Sequence, residues 1–131
     1  MKDLTRQFLA AGLLAVANSV AAFAAAEDYA FEPVTAEVRN GAGSELAVRL
    51  IHKPTGKPVA GAVIFRTRLD MSPDNMEGMI AKIEPVAEVE PGVYKFRANL
   101  SMAGGWALKL MAKVQGEKDT VEGTVVFEVK D

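Results

Sequence analysis

From Phe31 onward, apolar and polar side chains alternate in short runs, and Gly, Pro and Asn clusters interrupt them about every ten residues. A period of two puts neighbouring side chains on opposite faces of an extended strand, so the pattern predicts strands with one buried face. The strands expected are Phe31–Val38, Glu45–His52, Ala62–Leu69, Ile80–Glu88, Val93–Leu100, Trp106–Val114 and Val121–Lys130. The alternation is clean in Val93–Leu100, with Tyr94, Phe96, Ala98 and Leu100 inward and Lys95, Arg97 and Asn99 outward. Pro85 removes a backbone donor and makes Ile80–Glu88 an edge strand. About seven strands at this spacing predict an all-β fold, an immunoglobulin-like antiparallel β-sandwich. Asp70–Met79, with Ser72-Pro73-Asp74-Asn75 and Gly78, breaks the alternation and reads as a loop.

The first 26 residues follow a different pattern. Lys2 and Arg6 outweigh Asp3, Phe8–Ala17 is an apolar run, and Val20–Ala26 is rich in small residues, with A-x-A-like sites at Ala22-Phe23-Ala24 and Ala24-Ala25-Ala26. The apolar run is about ten residues, against the ~20 that a membrane-spanning helix needs, and Asn18-Ser19 ends it. Residues 1–26 are therefore expected to be a cleaved signal peptide, and 27–131 one exported domain without a transmembrane segment. No cysteine follows the apolar run to carry a lipid.

Composition narrows the chemistry. The net charge of −2 becomes about −3 without the leader, which offers no basic face for nucleic acid. The chain has one histidine and no cysteine, and neither a G-x-S-x-G nucleophile motif nor a glycine-rich phosphate loop. No enzyme is expected. With no thiolate available, any metal site must use Met, His or carboxylates. His52 stands alone at a strand end, without a second ligand at suitable spacing. Asp70, Asp74 and Glu77 lack the calcium-loop spacing and read as a solvated loop face. Arg66 and Arg68 read as a solvent-facing charge pair on one strand face.

The methionines depart from this plain picture. Met71, Met76 and Met79 fall within one polar stretch where there is no obvious core to fill. In an up-and-down sandwich, the connections holding Asp70–Met79 and Leu100–Trp106 emerge at the same end. Met102 is therefore expected to approach Met71, Met76 and Met79, with Trp106 as the wall beneath them. His52 falls at the opposite end, and Met111 has outward parity, so both are set aside. Thioethers select Cu(I) and similar soft ions without losing a proton. On the residues alone, three readings stand: a soft-metal site, an apolar lid on the sandwich end, or a protein-docking patch.

Gly56-Lys57-Pro58-Val59-Ala60-Gly61-Ala62, Glu90-Pro91-Gly92-Val93-Tyr94 and Leu100-Ser101-Met102-Ala103-Gly104-Gly105-Trp106 carry a family resemblance. With Leu69–Met79 between them, their order and spacing resemble those of YtkA-like (FixH-like) periplasmic domains. The resemblance implies an immunoglobulin-like sandwich in the periplasm and a link to copper or heavy-metal efflux. It implies Met71, Met76, Met79 and Met102 as ligands and Trp106 as a wall. FixH-type proteins keep a membrane helix, and the cleavable segment here departs from that pattern. The expected function is a soluble periplasmic Cu(I) or Ag(I) carrier or buffer acting with an efflux or copper-handling partner. The alternative is a structural adaptor that docks on such a partner through the methionine-bearing loop.

Overall fold

A computed structural model describes residues 26–87 and 90–131. The expected signal peptide lies outside them, apart from Ala26, which opens a 3₁₀ turn over Ala26–Asp28. Ten strands follow: β1 Tyr29–Pro33, β2 Glu37–Arg39, β3 Gly41–His52, β4 Lys57–Pro58, β5 Val63–Met71, β6 Met76–Ala81, β7 Ile83–Val86, β8 Val93–Leu100, β9 Gly104–Lys113 and β10 Val121–Lys130. One sheet has the order β1-β3-β8-β7, with β4 beside β3; the other has the order β2-β10-β9-β5-β6. These are the two sheets of an immunoglobulin-like sandwich, whose second sheet carries an additional edge strand, β6.

The core lies where the two inner faces meet. Leu46 and Val48 of β3 stand opposite Phe96 and Tyr94 of β8. Trp106 and Leu108 of β9 stand opposite Phe127 and Val125 of β10, and Leu69 of β5 stands opposite Leu108. All are buried. Each such side chain contributes about 2 kcal/mol by leaving water, which is how the fold holds without disulfides.

The structure has more strands than the hydrophobic pattern predicts, because two expected strands change sheets midway and Lys57–Pro58 adds the short strand β4 beside β3. Phe31–Val38 is divided: β1 pairs antiparallel with β3, and β2 crosses to the other sheet to run parallel with β10. The sandwich is therefore mixed rather than wholly antiparallel. Pro33, which lacks a donor, ends β1 and releases the chain to cross. The ring of Phe31 then fills the place where Gly123 of β10 has no side chain. Ile80–Glu88 is divided at Lys82 into β6 in one sheet and β7 in the other.

The third revision concerns the expected loop at Asp70–Met79. Strand β5 runs on through Met71, a 3₁₀ turn covers Ser72–Asp74, and β6 begins at Met76. The chain reverses at Asn75, whose φ of 60° is left-handed and whose N–H donates to the Ser72 carbonyl at 3.0 Å. Asn is among the side chains that tolerate this conformation, so the Asp74-Asn75 pair makes a tight hairpin where the composition suggests a loop.

Candidate functional site

The hairpin between β5 and β6 and the turn between β8 and β9 meet at one end of the sandwich. The Gly105 N–H donates to Asp74 Oδ2 at 3.0 Å, which ties the 3₁₀ turn to the first residues of β9. Gly104 has φ +137°, and a Cβ added there would lie 2.7 Å from Met71 Cε and closer still to Asp74 Oδ2. Only glycine allows the two segments to approach this closely. Gly104→Ala is expected to cost about 3 kcal/mol through strain and overpacking, read as a lowered urea midpoint with an unchanged m-value.

The methionines occupy graded depths at this end. Met71 is wholly buried and belongs to the hydrophobic core. Met76 stands opposite it across the β5–β6 pair and packs against the core while partly exposed. Met79, three residues further along the edge strand β6, is 37% exposed. Met102, in the turn before β9, is 40% exposed. The shared end expected from the alternation is thus present, and the donors divide into a buried thioether, a half-buried one and two at the surface. Met71 differs from the expectation because β5 continues two residues beyond Leu69, which turns its side chain inward.

Trp106 fixes the turn from below. Its ring is buried opposite Phe127, and its Nε1–H donates to the Met102 carbonyl at 3.0 Å. A buried indole N–H needs an acceptor, and this one holds the backbone of the residue whose thioether reaches solvent. Tyr94 plays a similar part at the far end of β8: its hydroxyl donates to the Val59 carbonyl at 2.6 Å and accepts from the Ala62 N–H at 3.0 Å.

One cluster was not legible as such. Asp70 has no exposed surface, although it reads as a solvated loop carboxylate. It faces outward from β5 and accepts from Arg68 Nε at 2.7 Å, Lys109 Nζ at 3.1 Å and the Ser72 N–H at 3.0 Å. Burial pushes its carboxyl up, but the hydrogen bonds from Ser72, Arg68 and Lys109 outweigh that and hold it well below the usual carboxylate range. The available signal was parity: Arg68 and Asp70 share one face of a strand that is longer than expected.

His52 ends β3 at the opposite pole. Its Nδ1 lies 2.8 Å from Thr55 Oγ1, and its ring packs against Tyr29 at a centroid distance of 5.1 Å. Met111 stands opposite Glu122 and Arg66 on the outer face. Among the described residues, no three His, Cys, Asp or Glu side chains are grouped to hold a metal ion, so thioethers are the metal chemistry to consider. No helix among the described residues is long and apolar enough to cross a membrane.

Comparison with known proteins identifies the domain. The family model described as YtkA-like matches residues 23–111, more than half of the chain, and the chain belongs to this family. No curated protein matches it. Among solved structures it is similar to the ZirS C-terminal domain, with a TM-score of 0.45 and 11% identity, over 80% of this chain and 67% of that one. It is also similar to a twitchin kinase fragment with immunoglobulin domains from C. elegans. There the TM-score is 0.39 and the identity 16%, over 79% of this chain and 21% of that one.

Proposed function

We propose that this YtkA-like domain is an exported, non-enzymatic Cu(I)- or Ag(I)-binding protein of the periplasm. It would carry or buffer the ion for a heavy-metal efflux or copper-handling partner. The observation that supports this reading is the convergence of two methionine-bearing segments at one end of the sandwich, tied together by Asp74 and Gly105. Met76, Met79 and Met102 are the reachable donors, and Met71 is the apolar floor next to Gly104. Thioethers are neutral and soft, so they take up Cu(I) without releasing protons, and they form no disulfides in an oxidising compartment. Exposed donors on an edge strand and a turn suit transfer by ligand exchange with a second protein.

Titration with Cu(I) against a competing chelator tests the proposal. About one equivalent is expected to bind tighter than micromolar, with quenching of the single tryptophan, Trp106. Met76→Leu with Met102→Leu is expected to weaken binding at least about tenfold, whereas Met111→Leu leaves it unchanged. Binding no tighter than micromolar, or indifferent to the paired substitution, rules the carrier out. The adaptor reading draws on the exposure of Met79 and Ile80 on β6. Capture of a partner without metal, weakened by Met79→Glu, would favour it.

A further inference from the structure

The outer face of the second sheet carries a feature that the methionine end does not explain. Strand β6 pairs with β5 only at Leu69–Met71 and then leaves at Lys82 to continue as β7 in the other sheet. Among the described residues, the part of β5 from Val63 to Arg68 is paired on one side alone, with β9. Beside this half-paired edge lies a concavity of about 770 Å³, lined by Arg66, Arg68, Lys109, Met111, Ile80 and Glu122. Ile80, which lines the notch, is 57% exposed, and Val63 and Phe65, on the open stretch of β5 that leads to it, are 62% and 52% exposed.

Charge says what this notch accepts. Three cations, Arg66, Arg68 and Lys109, and one carboxylate, Glu122 on the far strand β10, line it, an excess of positive charge in a chain whose net charge is negative. Asp70 neutralises part of the charge on Arg68 and Lys109, but it is buried beneath them. Arg66 makes no ion pair with any described residue. Two strand-edge arginines two residues apart repel basic strands and also a second copy of β5, whose own arginines would face them. The bulge at Phe65 adds to this by disrupting flat, unselective pairing.

We infer that the β5 edge beside this notch is a docking site for an extended acidic segment of a partner protein, which adds as a strand in the place that β6 vacates. Main-chain hydrogen bonds to Val63–Arg68 supply affinity, and alternating carboxylates meeting Arg66, Arg68 and Lys109 supply selectivity. The intervening apolar side chains rest against Val63, Phe65 and Ile80. This site adjoins the methionine end, through Ile80 and through Arg68, whose Nη2 donates to the Glu77 carbonyl at 3.1 Å, but its occupancy does not require metal.

The test uses the full chain and three fluorescent ten-residue peptides, read by anisotropy at low and high salt. One alternates Glu with Val, the second alternates Lys with Val, and the third is the Glu peptide N-methylated at alternate residues along one edge. The Glu peptide is expected to bind, with affinity falling as salt rises. Arg66→Glu is expected to weaken it about tenfold, and the Lys and N-methylated peptides are expected to bind at least tenfold more weakly. Equal binding of the N-methylated peptide would show charge attraction without strand addition and would overturn the proposal. So would comparable binding of phosphatidylglycerol vesicles, concentration-dependent dimerisation of the chain, or no binding of the Glu peptide at millimolar concentration.

Discussion

Trp106→Ala is expected to destabilise the domain by about 4 kcal/mol, more than any other single truncation considered. The ring is one of the largest wholly buried side chains, packed at the register position opposite Phe127. Its loss removes apolar burial, leaves a cavity and frees the Met102 carbonyl from its donor at 3.0 Å. Small domains hold only about 5–15 kcal/mol in total, so the variant is expected to unfold at a temperature lower by roughly 15–30 °C. Thermal unfolding followed by far-ultraviolet circular dichroism measures this. Trp106→Phe separates the two contributions, because it keeps most of the volume and loses the hydrogen bond, at a cost of about 1 kcal/mol. In that variant, hydrogen exchange is expected to quicken around Ser101–Gly104 more than in the rest of β9. Equal protection there would show that the indole N–H does not hold the turn.

The second large effect is pH-dependent. The hydrogen bonds from Ser72, Arg68 and Lys109 hold the folded-state Asp70 carboxyl below its unfolded value, which is about 3.9. The ionised group is therefore favoured in the folded state, and its stabilisation is complete above the unfolded pKa. It is lost as pH falls towards the folded value. Asp70→Asn is expected to cost about 2 kcal/mol at pH 7, the loss of hydrogen bonds to a buried charged acceptor. The gap between variant and parent is expected to narrow progressively as pH falls from about 5 to 2, because protonation begins to remove the same stabilisation from the parent. Urea midpoints across that range measure the difference, and comparing the two proteins cancels the other carboxylates. A gap that stays constant with pH would mean that the Asp70 charge contributes no linkage.

The expected strand positions in β8, β9 and β10 agree closely with the structure, as does the end of β3, which begins four residues before the expected Glu45, because each buries one face and exposes the other. Leu46, Val48 and Leu50 of β3 show this, as do Val125, Phe127 and Val129 of β10. The pattern failed where a strand changes its environment partway. Phe31–Val38 reads as continuous because its alternation persists across Pro33, yet the chain exchanges one sheet for another within it. Asp70–Met79 reads as a loop because turn-forming residues crowd its middle. Four of them, Ser72–Asn75, make one tight reversal, and the residues on either side pair as strands. At the candidate site, the meeting of the two connections was legible from counting strands. The depth of each methionine was not, because burial depends on where β5 ends.

By itself, the sequence determined the all-β class, the core-facing residues of the long strands, the shortage of catalytic groups and the family resemblance. Each of these follows from local chemistry: a period of two, the positions of Gly and Pro, and the residue types present. Tertiary structure alone decided that Met71 belongs to the core, that Asp70 is buried between two cations, and that β6 abandons β5 to leave a basic notch. Those features depend on contacts between residues far apart in the chain, such as Asp70 with Lys109 and Asp74 with Gly105. Alternation along a strand assigns side chains to faces, and only the packing of the sheets decides what covers each face.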